Sequence, residues 1–364
     1  MNPNERWMMR ALELAEKGRG KTSPNPLVGA LVVKKGRVLG EGYHARFGGP
    51  HAEVVALQKA GKRSREADLY VTLEPCSSWG KTPPCVDRVI QSGVARVMIG
   101  SVDPNPGNHL SGIRKLRQAG ISVQTGLLAS AVQDQNRPFF KAMTTGLPYV
   151  VLKMAQSLDG KIATRTGESR WISSPQSRKL VHCLRDQADA VLVGKNTVLL
   201  DNPALLGLKG KLKPWRVVLD PDLEISPRAR VFRSGPLTLA VVSDQKLKKL
   251  SGHPRSGKRI LLSVPSKRNR LDLKALLRQL SSLGVQSLLV EGGGETAWSF
   301  LREGLVDRLV WIISPKIIGG RQSKTSVEGE GVERLDQAFP VKWVRQSFMG
   351  TDCILEGEPC LRES

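Results

Sequence analysis

The order of apolar and polar positions along the first third of the chain predicts helices and strands in alternation. Apolar residues recur at helical spacing over 7–17, whereas 28–33 and 38–44 have the composition of the two strands of a β-hairpin. The same patterns then predict, in order, helix 51–60, strand 69–73, helix 85–91, strand 94–99, helix 113–119 and strand 121–125. This order is typical of an α/β layer fold, whose functional residues lie at strand ends and helix starts.

The rest of the chain continues the alternation after a boundary at Gly146-Leu147-Pro148. A helix over 131–146 closes the first part, and strand 149–154 opens the second. Further strands are predicted at 189–193, 215–219, 237–242, 259–263, 286–290 and 308–313, with helices at 174–187, 271–283 and 295–303. We therefore predict two α/β domains, 1–146 and 147–364, because 364 residues exceed the size of one typical core.

Composition is that of an ordinary soluble globular protein, with 40% hydrophobic and 24% charged residues. We expect a cytoplasmic protein with no membrane partner, since no apolar run has the length of a membrane span and the amino terminus lacks a signal-peptide pattern. The 56 Lys and Arg residues exceed the 33 Asp and Glu residues by 23. This excess favours phosphate-bearing partners, although clusters such as 246–249 are more typical of a solvated surface. Aromatic residues make up only 5%, which disfavours binding of single-stranded nucleic acid.

Two short blocks of the first domain carry the residue types of a hydrolytic zinc site. His51 and Glu53 lie at a predicted helix start, and Cys76 and Cys85 follow a predicted strand. Such sites use three protein ligands and leave one position open for water, while a nearby carboxylate moves protons. A lone His or Cys is usually structural, and we interpret the other cysteines in that way. The combined His-x-Glu and Pro-Cys blocks match the signature of zinc nucleoside and base deaminases.

The spacing of the two cysteines narrows the choice among the deaminase families that share this signature. Eight residues separate Cys76 from Cys85, and this longer insert resembles the pyrimidine deaminases of riboflavin biosynthesis. The blocks 23–29, 40–44 and 103–106 agree with the same family. The second domain is similar to the family's reductase domain in the blocks 152–161, 167–173 and 197–203. Over essentially its whole length, the chain resembles the bifunctional deaminase–reductases of riboflavin synthesis.

This resemblance implies a cytidine-deaminase-like three-layer fold for the first domain. It implies that His51, Cys76 and Cys85 bind zinc, and that Glu53 carries protons from the attacking water to the leaving amine. The pocket for a phosphorylated ribosylaminopyrimidine would be lined by Asn25, His44, Lys81, Thr82 and Asn105. For Lys81, a solvated loop lysine is the alternative.

For the second domain, the resemblance implies an α/β fold similar to dihydrofolate reductase. The run Gly292-Gly293-Gly294 lies between a predicted strand and a predicted helix, where backbone amides can meet cofactor phosphates, although such runs are as often tight turns. The resemblance implies contacts of NADPH with Ala155, Trp171, Thr197, Asp201, Gly293, Gly294, Glu295 and Thr296. It implies contacts of the ribosyl substrate with Lys153, Ser169, Arg185, Leu205 and Glu291, and hydride transfer to C1′ of the opened ribose. For Trp171, packing in the core is the alternative.

Two positions depart from the family's pattern. Ser78-Trp79 follow Glu-Pro-Cys-Ser where the family usually has His, which leaves the contact with the pyrimidine open. Leu208 occupies the position of an Arg that grips the substrate phosphate in the family. We therefore expect a weakened or rearranged phosphate clamp in the second domain, with Arg185 and Lys209 as its remaining cations.

Three hypotheses follow for the function. The first is a bifunctional enzyme of riboflavin synthesis that uses Zn²⁺ and NADPH on a phosphorylated pyrimidine. The second is a nucleic-acid deaminase, acting for example on tRNA, with a basic accessory domain; the long cysteine insert and the Gly292–Gly294 turn speak against it. The third is a zinc-stabilised RNA-binding module, which the presence of Glu53 disfavours because structural zinc sites are closed by a fourth ligand. The sequence leaves a homo-oligomer open.

Overall fold

The computed structural model describes residues 2–208, 214–233, 235–249, 259–267 and 270–360, so the predicted role of Lys209 lies outside the described residues. Contacts divide the chain into two units, Met1–Leu147 and Pro148–Ser364, a division one residue beyond the predicted boundary. Along the described residues, no helix has both the length and the apolar character needed to cross a bilayer. All five cysteines are free thiols.

The first unit is built around one five-stranded sheet. Its elements are α1 (Pro3–Glu16), β1 (Gly29–Lys34), β2 (Arg37–Tyr43), α2 (Ala52–Ala60), β3 (Asp68–Leu73), α3 (Cys85–Gln91), β4 (Arg96–Ser101), α4 (Ser111–Gln118), β5 (Ser122–Thr125), α5 (Ala129–Gln135) and α6 (Arg137–Thr145). The strand order is β2-β1-β3-β4-β5. β3, β4 and β5 are parallel, while β1 runs antiparallel to β2 and β3.

Helices cover both faces of this sheet, because successive side chains of a strand point to opposite sides. On one face, Val32 and Val71 pack with Leu57 of α2, and the same cluster includes side chains of α3 and α4. On the other face, Leu31 and Tyr70 pack with side chains of α1. The three-layer fold predicted for the first domain is thereby confirmed.

One predicted helix of the first unit is wrong as a single element. The sequence predicted a helix over 131–146, but the structure has α5 and α6 with a break at Asn136. The buried Asn136 side chain accepts a hydrogen bond from the Leu27 N–H at 2.7 Å and donates one to the Leu27 carbonyl at 3.0 Å. Pro138 lacks the N–H that a continuous helix would require. The amide of Asn136 therefore holds the interruption against the loop before β1.

The second unit has a nine-stranded sheet and a separate two-stranded ribbon. Its elements are β6 (Tyr149–Ser157), α7 (Pro175–Gln187), β7 (Ala190–Gly194), α8 (Lys195–Asp201), β8 (Trp215–Leu219), α9 (Arg230–Arg233), β9 (Thr238–Ser243), α10 (Asp244–Lys248), β10 (Arg259–Val264), β11 (Ser266–Lys267), β12 (Arg270–Leu271), α11 (Leu273–Ser282), β13 (Ser287–Val290), α12 (Gly294–Arg302), β14 (Arg308–Ser314), β15 (Val341–Met349) and β16 (Asp352–Pro359). The order of the large sheet is β10-β9-β8-β7-β13-β6-β14-β16-β15.

The winding of the large sheet reverses between β7 and β13. These neighbouring strands are parallel. After β7 the chain continues through α8 to β8 on one side, whereas after β13 it continues through α12 to β14 on the other side. In open α/β sheets, ligands bind in the crevice at the carboxyl ends of the strands where such a reversal occurs. The ends of β7 and β13 are therefore the expected position of a ligand site.

The sequence patterns missed several elements of the second unit. The terminal hairpin of β15 and β16 was not predicted, although β16 adds antiparallel to β14 and extends the sheet. Most side chains of β15 are exposed, so the strand lacks the apolar alternation that marks a half-buried strand. The short helices α8, α9 and α10 were also missed; each has at most two buried side chains, too few to display a helical period.

Candidate active sites

The first unit brings His51, Cys76 and Cys85 together at one end of its sheet. His51 is the residue before α2, Cys76 lies beyond the end of β3, and Cys85 is the first residue of α3. The His51 Nδ1 atom lies 2.9 Å from Cys85 Sγ and 3.6 Å from Cys76 Sγ. One potential ligand atom from each side chain lies within 4.8 Å of the other two. The three predicted zinc ligands therefore converge.

Local contacts at the starts of α2 and α3 hold these three side chains in position. A β-carbon at Gly42 would lie 2.2 Å from the Ala52 carbonyl oxygen, so the glycine in β2 is required for α2 to begin here. At the start of α3, the Cys85 N–H donates to Cys76 Sγ at 3.3 Å. Helix starts carry partial positive charge, which stabilises thiolates.

The chemistry of the donor set fits zinc. The hydrogen bond from the Cys85 thiol and the contact with His51 lower the pKa of the Cys76 thiol to about 4, against the effect of burial. The proximity of Cys76 and burial raise the pKa of the Cys85 thiol. Two thiols and one imidazole at this separation suit a divalent cation that binds thiolates and neutral imidazole, and three protein ligands leave a fourth position open. The residues present therefore fit a zinc ion.

Glu53 lies on the first turn of α2 with its side chain directed into the site. The residue is only 3% exposed, and its Oε2 atom has no hydrogen-bond partner among the described residues. Burial raises the pKa of Glu53 to about 7, although His51 opposes this effect. A buried carboxyl group with a free oxygen and a pKa near neutrality can both accept and return a proton.

Three hydrogen bonds orient the imidazoles of His51 and His44. The Thr82 hydroxyl lies 3.3 Å from His51 Nε2, so Thr82, predicted as a substrate contact, also orients a metal ligand. His44 Nδ1 lies 3.0 Å from the Pro50 carbonyl oxygen, and Asn25 Nδ2 lies 3.1 Å from His44 Nε2. Burial lowers the pKa of His44. A neutral ring satisfies both contacts, because Nδ1–H donates to Pro50 while Nε2 accepts from Asn25.

A cavity of about 260 Å³ contains this cluster and the predicted pyrimidine contacts. The predicted residues that line it are Asn25, His44, His51, Glu53, Cys76, Lys81, Thr82 and Asn105. Lys81 lies at the rim, with Nζ 4.2 Å from the centroid of the Phe47 ring. The sequence analysis missed Phe47, Asn108 and Phe139 as lining residues. No motif marked these residues, since they enter the cavity from three separate loops and helices.

Ser78 and Trp79, which depart from the family's pattern, have different environments in the structure. Ser78 lines the cavity, and its hydroxyl donates to Asn108 Oδ1 at 2.9 Å. The Ser77 N–H donates to the same oxygen at 3.3 Å. Trp79 is largely exposed. Ser78 therefore links the loop between Cys76 and Cys85 to the loop after β4.

In the second unit, three predicted substrate contacts form one buried charge network. Arg185 of α7 makes a bidentate pair with Glu291, with distances of 2.6 and 2.9 Å, and Lys153 Nζ of β6 lies 3.8 Å from Glu291 Oε2. Burial opposes the charged form of Glu291, but Arg185 and Lys153 outweigh it and lower the pKa of the carboxyl group. Burial lowers the pKa of Lys153, against the attraction of Glu291. Glu291 follows β13, so this network lies at the predicted crevice.

The segment that departs from the family's phosphate clamp is bound to α7. The Leu206 carbonyl oxygen accepts from Arg185 Nη1 at 3.2 Å and lies 2.8 Å from His182 Nδ1. The Leu208 N–H donates to Asp186 Oδ2 at 3.1 Å. Leu205 as a whole residue is 3% exposed and packs in the core, so the side chain of this predicted substrate contact does not face a ligand.

Six of the predicted cofactor contacts lie on α8 or at the start of α12. Gly293 precedes α12, which begins with Gly294, Glu295 and Thr296. A β-carbon at Gly194, directly before α8, would lie 2.7 Å from Thr296 Oγ1, so the two helix starts adjoin. Thr197 and Asp201 lie on α8, and Asp201 Oδ1 accepts from the Ser169 hydroxyl at 2.8 Å. Adjoining helix starts present backbone N–H groups, which fit the phosphates of a dinucleotide.

Trp171 and Ala155 complete the predicted cofactor contacts. Trp171 is 62% exposed, so the alternative of packing in the core is wrong. It lines a cavity of about 340 Å³ together with Arg178 and Lys316, and its carbonyl oxygen accepts from Lys316 Nζ at 2.7 Å. Ala155 lies on β6 opposite Ile312 of β14.

Comparisons with known proteins agree with both sites. A family model described as the cytidine and deoxycytidylate deaminase zinc-binding region matches residues 1–101, and the RibD C-terminal domain matches residues 148–350. The riboflavin biosynthesis protein RibD of Aquifex aeolicus is 42% identical over 354 residues, covering 97% of this chain and 97% of the relative. RibD of Escherichia coli is 40% identical over 366 residues, covering 97% and 98%.

Solved structures give the same result. The diaminohydroxyphosphoribosylaminopyrimidine deaminase/5-amino-6-(5-phosphoribosylamino)uracil reductase of Thermotoga maritima matches with a TM-score of 0.87 and 37% identity, covering 98% of this chain and 99% of that one. Acinetobacter baumannii RibD matches with a TM-score of 0.88 and 33% identity, covering 99% of both chains.

Fold and sites together define an enzyme with a zinc-type deaminase domain followed by a reductase domain. More particularly, the chain belongs to the RibD family, the bifunctional deaminase–reductases of riboflavin biosynthesis. The predicted family, fold class and enzyme class are confirmed. These matches give no support to the alternative of a tRNA deaminase.

Proposed function

We propose that the first unit deaminates 2,5-diamino-6-ribosylamino-4(3H)-pyrimidinone 5′-phosphate and that the second unit reduces the ribosyl group of the product with NADPH. The observation that carries the proposal is the convergence of His51, Cys76 and Cys85 beside the buried carboxyl group of Glu53. The activities in the printed name of the Thermotoga maritima structure support this pair of reactions.

In the deamination, His51, Cys76 and Cys85 would hold the zinc ion. Zinc bound there supplies Lewis-acid activation of the water that attacks the amine-bearing ring carbon. Glu53 takes a proton from this water at its free Oε2 atom and returns it to the leaving amine. Thr82 orients His51 through the contact with Nε2. A substrate ring that fills the cavity would displace water from it and strengthen these interactions, because the local dielectric constant falls.

Polar groups around the cavity hold the pyrimidine nucleotide. The amide of Asn25, oriented by His44, and the side chain of Asn105 contact the polar edges of the ring. Lys81 at the rim binds the 5′-phosphate, and its stacking on Phe47 limits the positions that its ammonium group samples. Burial of an organic ring among a few oriented polar groups is the usual basis of specificity in such pockets.

In the reduction, the adjoining starts of α8 and α12 would hold the dinucleotide. The residues that would contact it are Ala155, Trp171, Thr197, Asp201 and Gly293 to Thr296. NADPH bound there supplies the hydride that reaches C1′ of the opened ribose. Lys153, Arg185 and Glu291 bind the ribosyl part, together with Ser169 and the main chain of Leu205.

The function is tested with the purified full chain and the diaminopyrimidine nucleotide, with and without NADPH. We expect release of ammonia without NADPH, and oxidation of NADPH only after deamination has supplied the second substrate. Removal of zinc by a chelator should abolish the first reaction and leave reduction of added deaminated product intact. Absence of ammonia release from zinc-loaded protein would contradict the first half of the proposal. Deamination without any NADPH oxidation would contradict the second half.

Introducing a cation at position 208 tests the departure from the phosphate-binding pattern of the family. For Leu208→Arg, we expect the reductase KM for the phosphorylated substrate to fall about three- to ten-fold, because a charge-assisted hydrogen bond is added to the phosphate. Leu208→Gln, with similar length but no charge, should leave KM unchanged. Steady-state kinetics at low and high salt measure the effect, which salt should weaken. An unchanged KM in the Arg variant would mean that other groups grip the phosphate.

A further inference from the structure

The carboxylate of Glu74 lies between the zinc ligands and the loop after β4. The residue follows β3 directly, precedes Cys76 by two positions and is 4% exposed. Its two oxygens accept four backbone hydrogen bonds, Oε2 from Asp103 at 3.2 Å and Leu110 at 3.1 Å, and Oε1 from Gly112 at 3.0 Å and Ile113 at 3.2 Å. One buried side chain therefore binds both ends of the segment 103–113.

The segment 103–113 carries a wall of the deaminase cavity. Asp103, Asn105 and Asn108 line the cavity. Asp103 accepts from the Asn105 N–H at 2.9 Å and from Asn108 Nδ2 at 3.2 Å. The positions of these side chains relative to one another are thus fixed within the segment. Their position relative to the zinc ligands depends on what joins the segment to Cys76.

The backbone geometry shows that the segment 103–113 lies close to the chain between Glu74 and Cys76. Leu110 has a φ of 59°, which is uncommon for a residue with a β-carbon. A β-carbon at Gly112 would lie 2.1 Å from the Pro75 carbonyl oxygen. The first turn of α4 is therefore packed directly against the chain between Glu74 and Cys76. An uncommon backbone conformation such as that of Leu110 persists where the surrounding structure over-determines it.

We propose that Glu74 is a positioning residue for the deamination: its carboxylate fixes the segment 103–113 against the zinc-ligand segment 74–76 and so sets the distance of Asn105 from the reacting carbon. The inference rests on the proposed function, in which Asn105 contacts the pyrimidine. Hydrogen bonds to an ionised acceptor are about twice as strong as neutral ones, and burial strengthens them further. Small displacements of positioning groups cause large losses in enzyme efficiency.

Glu74→Gln tests the proposal with little change in shape. One amide oxygen can still accept two of the four N–H groups, but the NH2 group faces the other two. We expect the KM for the pyrimidine nucleotide to rise about ten-fold, since hydrogen bonds to a charged acceptor are lost. Zinc content should remain that of the unsubstituted protein. The two backbone N–H groups that lose their acceptor should exchange their hydrogen with solvent faster.

A second variant and a control separate positioning from folding. Gly112→Ala keeps Glu74 but forces the start of α4 away from Pro75, and it should also raise KM. Glu66→Gln, at an exposed carboxyl group in the same unit, should change neither KM nor hydrogen exchange. Reduction of added deaminated product serves as the assay of intact folding of the second unit.

The outcomes distinguish this inference from the proposed function. If the unsubstituted protein deaminates the nucleotide and zinc-loaded Glu74→Gln has an unchanged KM, Glu74 does not position the substrate loop. Loss of zinc from Glu74→Gln would also overturn the inference, because the carboxylate would then support the ligands instead. A lower melting temperature with unchanged KM would assign Glu74 a role in stability alone. If the unsubstituted protein does not deaminate, the proposed function itself fails.

Discussion

Replacement of Glu53 by Gln should lower the kcat of deamination by about 10²- to 10⁴-fold, the usual contribution of a general acid–base group. The amide has the shape of the carboxyl group but can neither accept the proton of the attacking water nor return it to the amine. Burial already holds the pKa of Glu53 near 7, a value suited to both transfers. Ammonia release under saturating substrate measures the effect.

Zinc content and the second reaction serve as controls for this variant. Glu53 is not among the three converging ligand side chains, so Glu53→Gln should bind zinc as the unsubstituted protein does. Reduction of added deaminated product should be unchanged. Glu53→Asp keeps a carboxyl group, but one methylene shorter, and should retain intermediate activity. If zinc-loaded Glu53→Gln kept more than about a tenth of kcat, another group would have to carry the proton.

The sequence was sufficient to predict that His51, Cys76 and Cys85 lie together, because each of them lies in a short motif at a strand end or helix start. His51, Cys76 and Cys85 are brought together by α2, β3 and α3, the elements that the apolar pattern predicted. The contact of Thr82 with His51 and the four bonds of Glu74 could not be predicted in this way. They depend on the path of irregular loops, which apolar periodicity does not describe.

The second unit was predicted less completely for two physical reasons. The exposed strand β15 and the short helices lack the periodic burial from which elements are inferred. The segment 205–208 departs from the family's pattern at Leu208, so the resemblance carried little information on the contacts of this segment. Leu205 packs in the core, whereas the main chains of Leu206 and Leu208 form hydrogen bonds with side chains of α7. Substitution of the paired residues Arg185 and Glu291 therefore provides the main test of the reductase site.

Arg185→Leu should both destabilise the second unit and abolish reduction. The substitution leaves Glu291, whose side chain is only 8% exposed, with Lys153 at 3.8 Å as its remaining ion-pair partner among the described residues. Removal of one partner of a buried ion pair typically costs about 3–5 kcal/mol, because the other charge stays buried. The Leu206 carbonyl oxygen also loses its bond from Arg185. Denaturant unfolding followed by tryptophan fluorescence measures the loss of stability.

The double variant Arg185→Leu, Glu291→Leu separates the structural effect from the functional one. Removing both charges should recover part of the stability, since apolar residues of similar volume often replace a buried ion pair at little cost. The recovery is incomplete because Lys153 loses Glu291 as its partner at 3.8 Å. Reduction should stay abolished, because both groups are proposed to bind the ribosyl substrate. Deamination serves as the control and should be unchanged in both variants. If the double variant regained reductase activity, the network would stabilise the fold without contacting substrate, and the substrate would have to be bound by other groups at the ends of β7 and β13.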